Sequence, residues 1–205
     1  MALALACWWT QPFAVTLIEQ QQSMQNLSRA QQTNVQLAAQ RLDGLVIPPG
    51  AHFSFNQAVG PRTPARGYLA APSYLGGESP ATIGGGICLL SSALYQAALK
   101  AGFQIEQRVP HLRTIHSVPP GLDATVWYGG ADLRWVNRLS QPVRFRASVQ
   151  NHELRIRFNG RSPIGPLTLQ RVVNQHTDQS VLITVFQHGA SGSRMISRDL
   201  YRLSP

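Results

Sequence analysis

Lysine is almost missing from this chain of 205 residues: Lys100 stands alone, and arginine carries the rest of the basic charge. Acidic residues are also few, nine against eighteen basic ones, which leaves a formal net charge of +9 at pH 7. Cysteine occurs only at Cys7 and Cys88. Two cysteines make no disulfide framework, and nothing in the spacing favours a Cys7–Cys88 bridge. Paired zinc ligands of the Cys-x-x-Cys or His-x-x-x-His kind do not occur, so a metal site would have to be assembled from Cys88, His111 and His116, and none is expected. Gly84-Gly85-Gly86 is not followed by the Lys and Ser/Thr of a phosphate-cradling loop, and no cofactor is expected. Recognition-helix, zinc-finger and aromatic RNA-binding patterns are likewise missing, which argues against nucleic acid as a partner. With 43% hydrophobic and only 13% charged residues, the chain is neither disordered nor fibrous. Its length suits one compact domain with a short appended segment.

Three stretches differ in character. Residues 1–33 are an apolar N-terminal segment followed by a glutamine-rich connector, helical or loose. Residues 1–18 lack the positive leader of a signal peptide. They leave two readings open: the remnant of a signal or anchor that brings the chain near a membrane, or a helix or strand packed on the core. Residues 34–160 form the main domain. There Asn34 is placed to cap a helix running to Leu42, with Val35, Leu37, Ala38 and Leu42 inward and Gly44 closing it. Leu45-Val46-Ile47 reads as a short buried strand, and His52 to Asn56 as another. Gly60 to Tyr68 holds so many turn formers that it predicts an ordered surface loop. Short strands follow at 103–109, 123–128, 131–137, 141–149 and 153–159, each bounded by turn residues. Residues 161–205 continue in strands at 166–173, 180–188 and 194–202. The last two are joined through Gly189–Ser193, a β-hairpin extension packed on the domain. The fold class expected is therefore α+β: a cysteine-bearing helix on an antiparallel sheet, with a β-rich C-terminal half.

Two features carry chemistry. In Gly84-Gly85-Gly86-Ile87-Cys88, three glycines deliver a cysteine to the start of a helix whose apolar positions are Leu90, Leu94, Ala97, Ala98 and Ala101. Free N–H groups and the helix dipole at such a terminus favour the thiolate over the thiol. Ser91, Ser92 and Tyr95 share the adjacent face. The plainer alternative is a small hydrophobe in the core, the commoner fate of an isolated cysteine. Separately, Arg144, Arg146, Arg155 and Arg157 alternate with apolar residues, which puts four guanidiniums on the outer side of paired strands. That basic face is either a solvated sheet surface or an attractor for an anionic polymer.

Ile47-Pro48-Pro49-Gly50, Phe53-Ser54-Phe55-Asn56, Val59-Gly60-Pro61-Arg62-Thr63 and Gly67-Tyr68 follow one another in order. After them come Ile83 to Cys88, Ser91 to Tyr95, Pro110-His111, Pro119-Pro120-Gly121, Asp123 to Val126, and Asp132-Leu133-Arg134 with Asn137. In this set the chain from about Asn34 to Asn159 resembles the VanW family of bacterial envelope proteins, named from a vancomycin-resistance cluster. The resemblance implies a cell-envelope or exported location and a wall-related role; it assigns no reaction. Two positions depart from the family pattern: Leu89 stands where Gln commonly follows the cysteine, and Leu112 where Ser follows the histidine.

The order of groups suggests a reaction. A thiol nucleophile needs a base, and the base needs an orienting acid. Cys88, His111 and Asp123 follow in that order, similar in arrangement to transglutaminase-like and papain-like enzymes. The expectation is that Cys88 attacks a carbonyl, His111 moves the proton, Asp123 orients His111, and the amides from Gly85 to Cys88 hold the oxyanion. His116 is the reserve base and Asp132 the reserve acid. Gly84, Gly85, Gly86, Phe53, Phe55, Asn56, Arg62, Tyr68, Ser91 and Asp132 are the candidate binding residues, and peptidoglycan peptide is the expected substrate. The alternative is a non-catalytic module that binds peptidoglycan or an anionic wall polymer through the arginine face and the aromatics Phe53, Phe55 and Tyr68.

Overall fold

A computed structural model describes residues 13–73 and 81–204. Cys7 and most of the apolar N-terminal stretch lie outside the described residues. β1 (Val15–Ser23) runs into the glutamine-rich connector expected at 19–33, which is strand to Ser23, a turn at 24–28 and helix from Arg29. Glutamine can face water on one side of an edge strand while the ladder satisfies its backbone, and β1 pairs antiparallel with β9 (Glu153–Gly160).

Helix α1 spans Arg29–Leu42, six residues longer at its start than the Asn34 cap implies. Ser28 is the cap: its hydroxyl accepts from Gln31 N at 3.3 Å, while Gln31 Oε1 accepts from Ser28 N at 2.9 Å, a reciprocal box. Asn34 lies inside the helix, fully buried, donating to Leu69 O and Gly85 O at 2.9 Å each and accepting from Leu69 N at 2.8 Å. It ties the helix to the glycine turn before Cys88. β2 (Val46–Ile47) and β3 (His52–Ser54) follow, and α2 (Phe55–Val59) starts where a strand was expected to continue, because Ser54 caps it. The expected surface loop at 60–68 contains a single 3-10 turn, Pro64–Arg66, and ends in buried Tyr68. After β4 (Ala70–Ala71) and β5 (Thr82–Ile83) comes α3 (Cys88–Lys100), buried almost throughout.

β6 (Gln104–Gln107) and β7 (Arg134–Val136) form a small sheet with β3. β8 (Val143–Gln150) and β9 complete a four-stranded antiparallel sheet in the order β1-β9-β8-β2. Alternation along β8 and β9 puts Val143, Phe145, Leu154, Ile156 and Phe158 inward. Phe145 stacks on Phe158 at 4.4 Å between ring centres, and Phe53 stacks on Trp135 at 4.1 Å. The outer face carries the four arginines. Arg146 pairs with Asp43 at 3.2 Å, Arg157 with Glu19 at 2.6 Å and Arg155 with Glu153 at 2.9 Å, while Arg144 lies over the Phe13 ring.

The C-terminal part is a three-stranded antiparallel sheet: β10 (Thr168–His176), β11 (Ser180–Gly189) and β12 (Gly192–Arg202). It has a small core of its own in Val181, Ile183, Val185 and Tyr201. It docks on the loop after β6 by backbone bonds, Arg202 N to Leu112 O at 3.0 Å and Thr114 N to Arg202 O at 2.9 Å. Gly121 allows this approach, since a Cβ there would meet Val185 at 2.7 Å.

The molecule is thus α+β and rich in β. Residues 123–128, expected as a strand, are extended backbone bonded across to Val109 and Ala131 instead of joining a sheet.

Candidate active site

The three glycines before Cys88 are a backbone requirement. Gly84 and Gly86 have φ of +84° and +95°, which side-chain-bearing residues adopt only with strain. Gly85 sits so close to the chain at β4 that a Cβ would lie 2.2 Å from Ala71 O. The turn therefore brings Cys88 to the first position of α3 with no side-chain cap ahead of it. Gly85 N bonds Thr82 O at 3.1 Å and Ile87 N bonds Gly84 O at 3.4 Å, so those two amides are already used. Among the described residues the amides of Gly86 and Cys88 have no acceptor, which narrows the oxyanion donors expected from Gly85 to Cys88 to this pair.

Two serines on α3 dock the segment that carries the acid. Ser91 Oγ donates to Ala124 O at 2.6 Å; Ser92 Oγ donates to Cys88 O at 2.6 Å and accepts from Ala124 N at 2.9 Å. Ser91 is thus a structural clamp and does not reach the cavity. Thr125 N bonds Val109 O at 2.7 Å, aligning the histidine loop beside the acid.

His111 and Asp123 meet in this arrangement, both on loops and not on the strand edges expected. His111 Nδ1 donates to Asp123 Oδ2 at 2.7 Å, and the His111 backbone N donates to the same oxygen at 2.7 Å. With Nδ1 engaged, Nε2 is the free ring nitrogen; it is buried with no hydrogen-bond partner of its own and lies against the Cys88 thiol. The thiol donates to Val126 O at 3.7 Å. Burial disfavours the imidazolium, but the Asp123 bond and the neighbouring Cys88 outweigh it and raise the His111 pKa to about 9. Burial also opposes the Asp123 carboxylate, yet His111 and Arg108 hold its pKa far below the usual carboxylate range.

The sequence reading missed the groups behind Asp123. Arg108 Nη2 donates to Asp123 Oδ1 at 2.8 Å and Arg108 Nε to Asp123 O at 2.7 Å. Its other nitrogen, Nη1, pairs with Asp199 of β12. Tyr201 Oη donates to Asp123 Oδ1 at 2.6 Å and accepts from Gly121 N at 2.8 Å. Burial pushes the Tyr201 hydroxyl pKa well above its ordinary value, so it stays a donor. Arg108 also lies 5.2 Å from the Tyr95 ring of α3. No short motif could have revealed Arg108 or Tyr201. The detectable signal is a single Arg-Val-Pro-His run at 108–111 and an isolated tyrosine near the C-terminus.

Cys88 and His111 open into a cavity of about 250 Å³ whose walls include Arg62, Ile83, Gly84, Ile115, Thr125 and Trp127. Leu89, at the position where the family pattern has Gln, is buried and forms part of this wall. Leu112 is 59% exposed and does not line it. Phe53 and Phe55 correct the expected aromatic binding loop: at 2% and 0% exposure they are core residues, because β3 and α2 turn them inward. Tyr68 is also buried, outside the cavity lining. Asn56 and Asp132 brace this region without touching the cavity. Asp132 accepts from Ser54 Oγ at 2.6 Å and from Asn56 N at 2.8 Å, so it is no reserve acid for His111. His116 is exposed and does not line the cavity. Among the described residues no group of three His, Cys, Asp or Glu side chains is placed to hold a metal, and no helix is long and apolar enough to cross a membrane.

A family model described as VanW like protein matches residues 30–159. The chain is similar to an uncharacterized protein, YoaR, of Bacillus subtilis: 46% identity over 120 residues, 58% of this chain and 40% of that protein. It is also similar to the vancomycin B-type resistance protein VanW of Enterococcus faecalis: 33% identity over 106 residues, 49% of this chain and 38% of that protein. The chain therefore spans well under half the length of each of these relatives. No solved structure matches it.

Proposed function

The chain belongs to the VanW-like family, and from that membership and the geometry around Cys88 we propose that it is a cell-envelope protein catalysing cysteine-dependent acyl transfer or amide hydrolysis on peptidoglycan peptide. One observation carries the reading: a histidine fixed on one side by a buried carboxylate keeps its other nitrogen unpartnered against a cysteine at a cavity. A merely structural histidine would spend both nitrogens or face water.

In this reading His111 Nε2 already holds the proton of the Cys88 thiol, as the raised His111 pKa favours, and the thiolate adds to the carbonyl carbon of an amide. Negative charge moves onto the carbonyl oxygen, to which the Gly86 and Cys88 N–H groups donate hydrogen bonds. The C–N bond then breaks, and the departing amine takes the proton back from the imidazolium. This leaves a thioester on Cys88. Water releases a carboxylic acid from it, or a second amine forms a new amide; either restores the thiol. Asp123 stays ionised throughout and stabilises the imidazolium, consistent with its depressed pKa. The likeness to transglutaminase-like and papain-like enzymes rests on this order of groups alone.

The test is incubation with purified wall peptides, read by mass spectrometry for cleaved or exchanged products. Cys88→Ala and His111→Ala are expected to abolish turnover, a loss of about a thousandfold or more, while leaving the folded spectrum unchanged. Turnover surviving Cys88→Ala rejects the mechanism. A second reading, binding of an anionic wall polymer through the arginine face, is weakened by the ion pairs that Asp43, Glu19 and Glu153 make there. It expects salt-sensitive wall binding that Arg144→Glu with Arg155→Glu removes.

A further inference from the structure

Buried polar atoms without a partner are rare in folded proteins, so several around one cavity call for a cause. Besides His111 Nε2, three line the Cys88 cavity: Arg62 Nη2, Ser73 Oγ and Thr125 Oγ1. Arg62 is the most informative. Its Nη1 donates to Asn56 Oδ1 at 2.7 Å and to Gly60 O at 3.3 Å. Asn56 is itself locked, donating to Ala131 O at 2.9 Å and Trp127 O at 3.0 Å. The arginine stem lies over Gly84, where a Cβ would come 3.0 Å from Arg62 Cβ, and the guanidinium faces the Phe55 ring at 5.3 Å. One edge of the guanidinium is thus held rigidly and the other is left without a partner.

Among the described residues no carboxylate is within ion-pair distance of Arg62. The nearby Asp132 is occupied by Ser54, Asn56 N and Leu133 N. A half-buried cation that makes no ion pair among the described residues costs desolvation that a ligand anion can offset, and a charge-assisted hydrogen bond adds to the gain. A single free guanidinium nitrogen in a cavity with Ile83, Ile115 and Trp127 walls suits a carboxylate on a peptide better than a phosphate, which gathers several donors.

We propose that the Cys88 cavity is a carboxylate-recognition site in which Arg62 Nη2 donates to a carboxylate of the bound peptide, Ser73 and Thr125 offering hydroxyls to the rest of it. As a statement about substrate it rests on the acyl-transfer reading; as a statement about an anion site beside Cys88 it is tested without turnover. The carboxylate comes from the peptide's terminus or from one of its side chains.

The probes are iodoacetate and iodoacetamide, which alkylate the same thiol and differ in carrying or lacking a carboxylate. The ratio of their rates at Cys88, measured at one pH in a Cys7→Ser background, is expected to fall about tenfold in Arg62→Gln and to be largely kept in Arg62→Lys. Taking the ratio to the iodoacetamide rate cancels any change in the reactivity of the thiol itself. A ratio unchanged in Arg62→Gln overturns the proposal. Protection of Cys88 against iodoacetamide then identifies the source, using a wall peptide with a free terminal carboxylate, its C-terminal amide, and its side-chain amide. Protection lost on one amidation assigns that carboxylate; equal protection by all three, or by none, rejects carboxylate recognition. Failure of the acyl-transfer reading shows separately, as an iodoacetamide pH profile that His111→Ala leaves unmoved.

Discussion

Asp123 accepts from five donors: the His111 ring and backbone, Arg108, Tyr201 and Gly121 N. A carboxylate so fully engaged cannot rotate, and its rigidity is passed to the imidazole. Tyr201 is then a positioning residue for the proposed reaction, since among the described residues its hydroxyl bonds only Asp123, Arg108 and Gly121. Tyr201→Phe removes one donor and leaves Gly121 N with only the long bond to Asp123 at 3.3 Å. The variant is expected to cost about 1–3 kcal/mol in stability. It is also expected to shift the pH profile of Cys88 alkylation, a readout that lost packing alone would leave in place. Among these groups Cys88, His111 and Asp123 were legible in the chain, because a glycine-rich helix start, a Pro-His pair and a turn acid each leave a local mark. Arg108 and Tyr201 left only the Arg-Val-Pro-His run and an isolated tyrosine, neither of which points to Asp123. An arginine just past a strand and a tyrosine near a terminus look like ordinary surface and core residues until the fold brings them to the same carboxylate.

Among elements, the glycine turn and α3 act as one unit, and α1 holds them through Asn34 and Gln31. Gln31 packs on Gly86, where a Cβ would meet its Cβ at 2.8 Å, and donates to Pro72 O at 2.9 Å. Gly85→Ala is expected to destabilise the protein by about 2 kcal/mol or more, because the new methyl meets backbone that cannot yield. It should also slow Cys88 alkylation by displacing the thiol. Gly165→Ala, where a Cβ meets nothing within 4 Å, serves as the neutral control in urea unfolding. The helix start at Cys88 was legible because glycine placement and apolar periodicity agree there. The start of α1 was not: Asn34 resembles a cap, whereas the working cap is Ser28 with Gln31 in a stretch of glutamines. For the edge strand β1, a strand was one of the readings kept open for residues 1–18, but its run on to Ser23 was missed, because the glutamines there show no apolar alternation.

Over the whole molecule, the C-terminal sheet and the family-matched segment share a buried charge network, so folding and site electrostatics are coupled. Asp123 has a folded pKa below its ordinary 3.8, so its stabilisation is present above that value and is lost as pH falls through the folded pKa. His111 is raised from 6.5 to about 9, so its contribution is full below 6.5 and disappears as pH rises through about 9. Urea midpoints are therefore expected to be highest between about pH 4 and 6.5 and to decline on both sides. In His111→Gln the alkaline decline between about pH 6.5 and 9 should flatten, because the titrating ring is gone. Composition, the order of motifs and the alternation of β8 and β9 were enough to establish an α+β chain of this family, with a cysteine delivered to a helix start. These are properties of local backbone preference and of spacing, which the chain carries wherever it is placed. Which aromatics became core, which amides stayed free, and which cations reached Asp123 or were left facing the cavity depended on contacts between residues far apart in sequence. Such contacts are selected by packing and by the cost of burying unpaired polar groups, and that cost exists only once the elements have closed on one another.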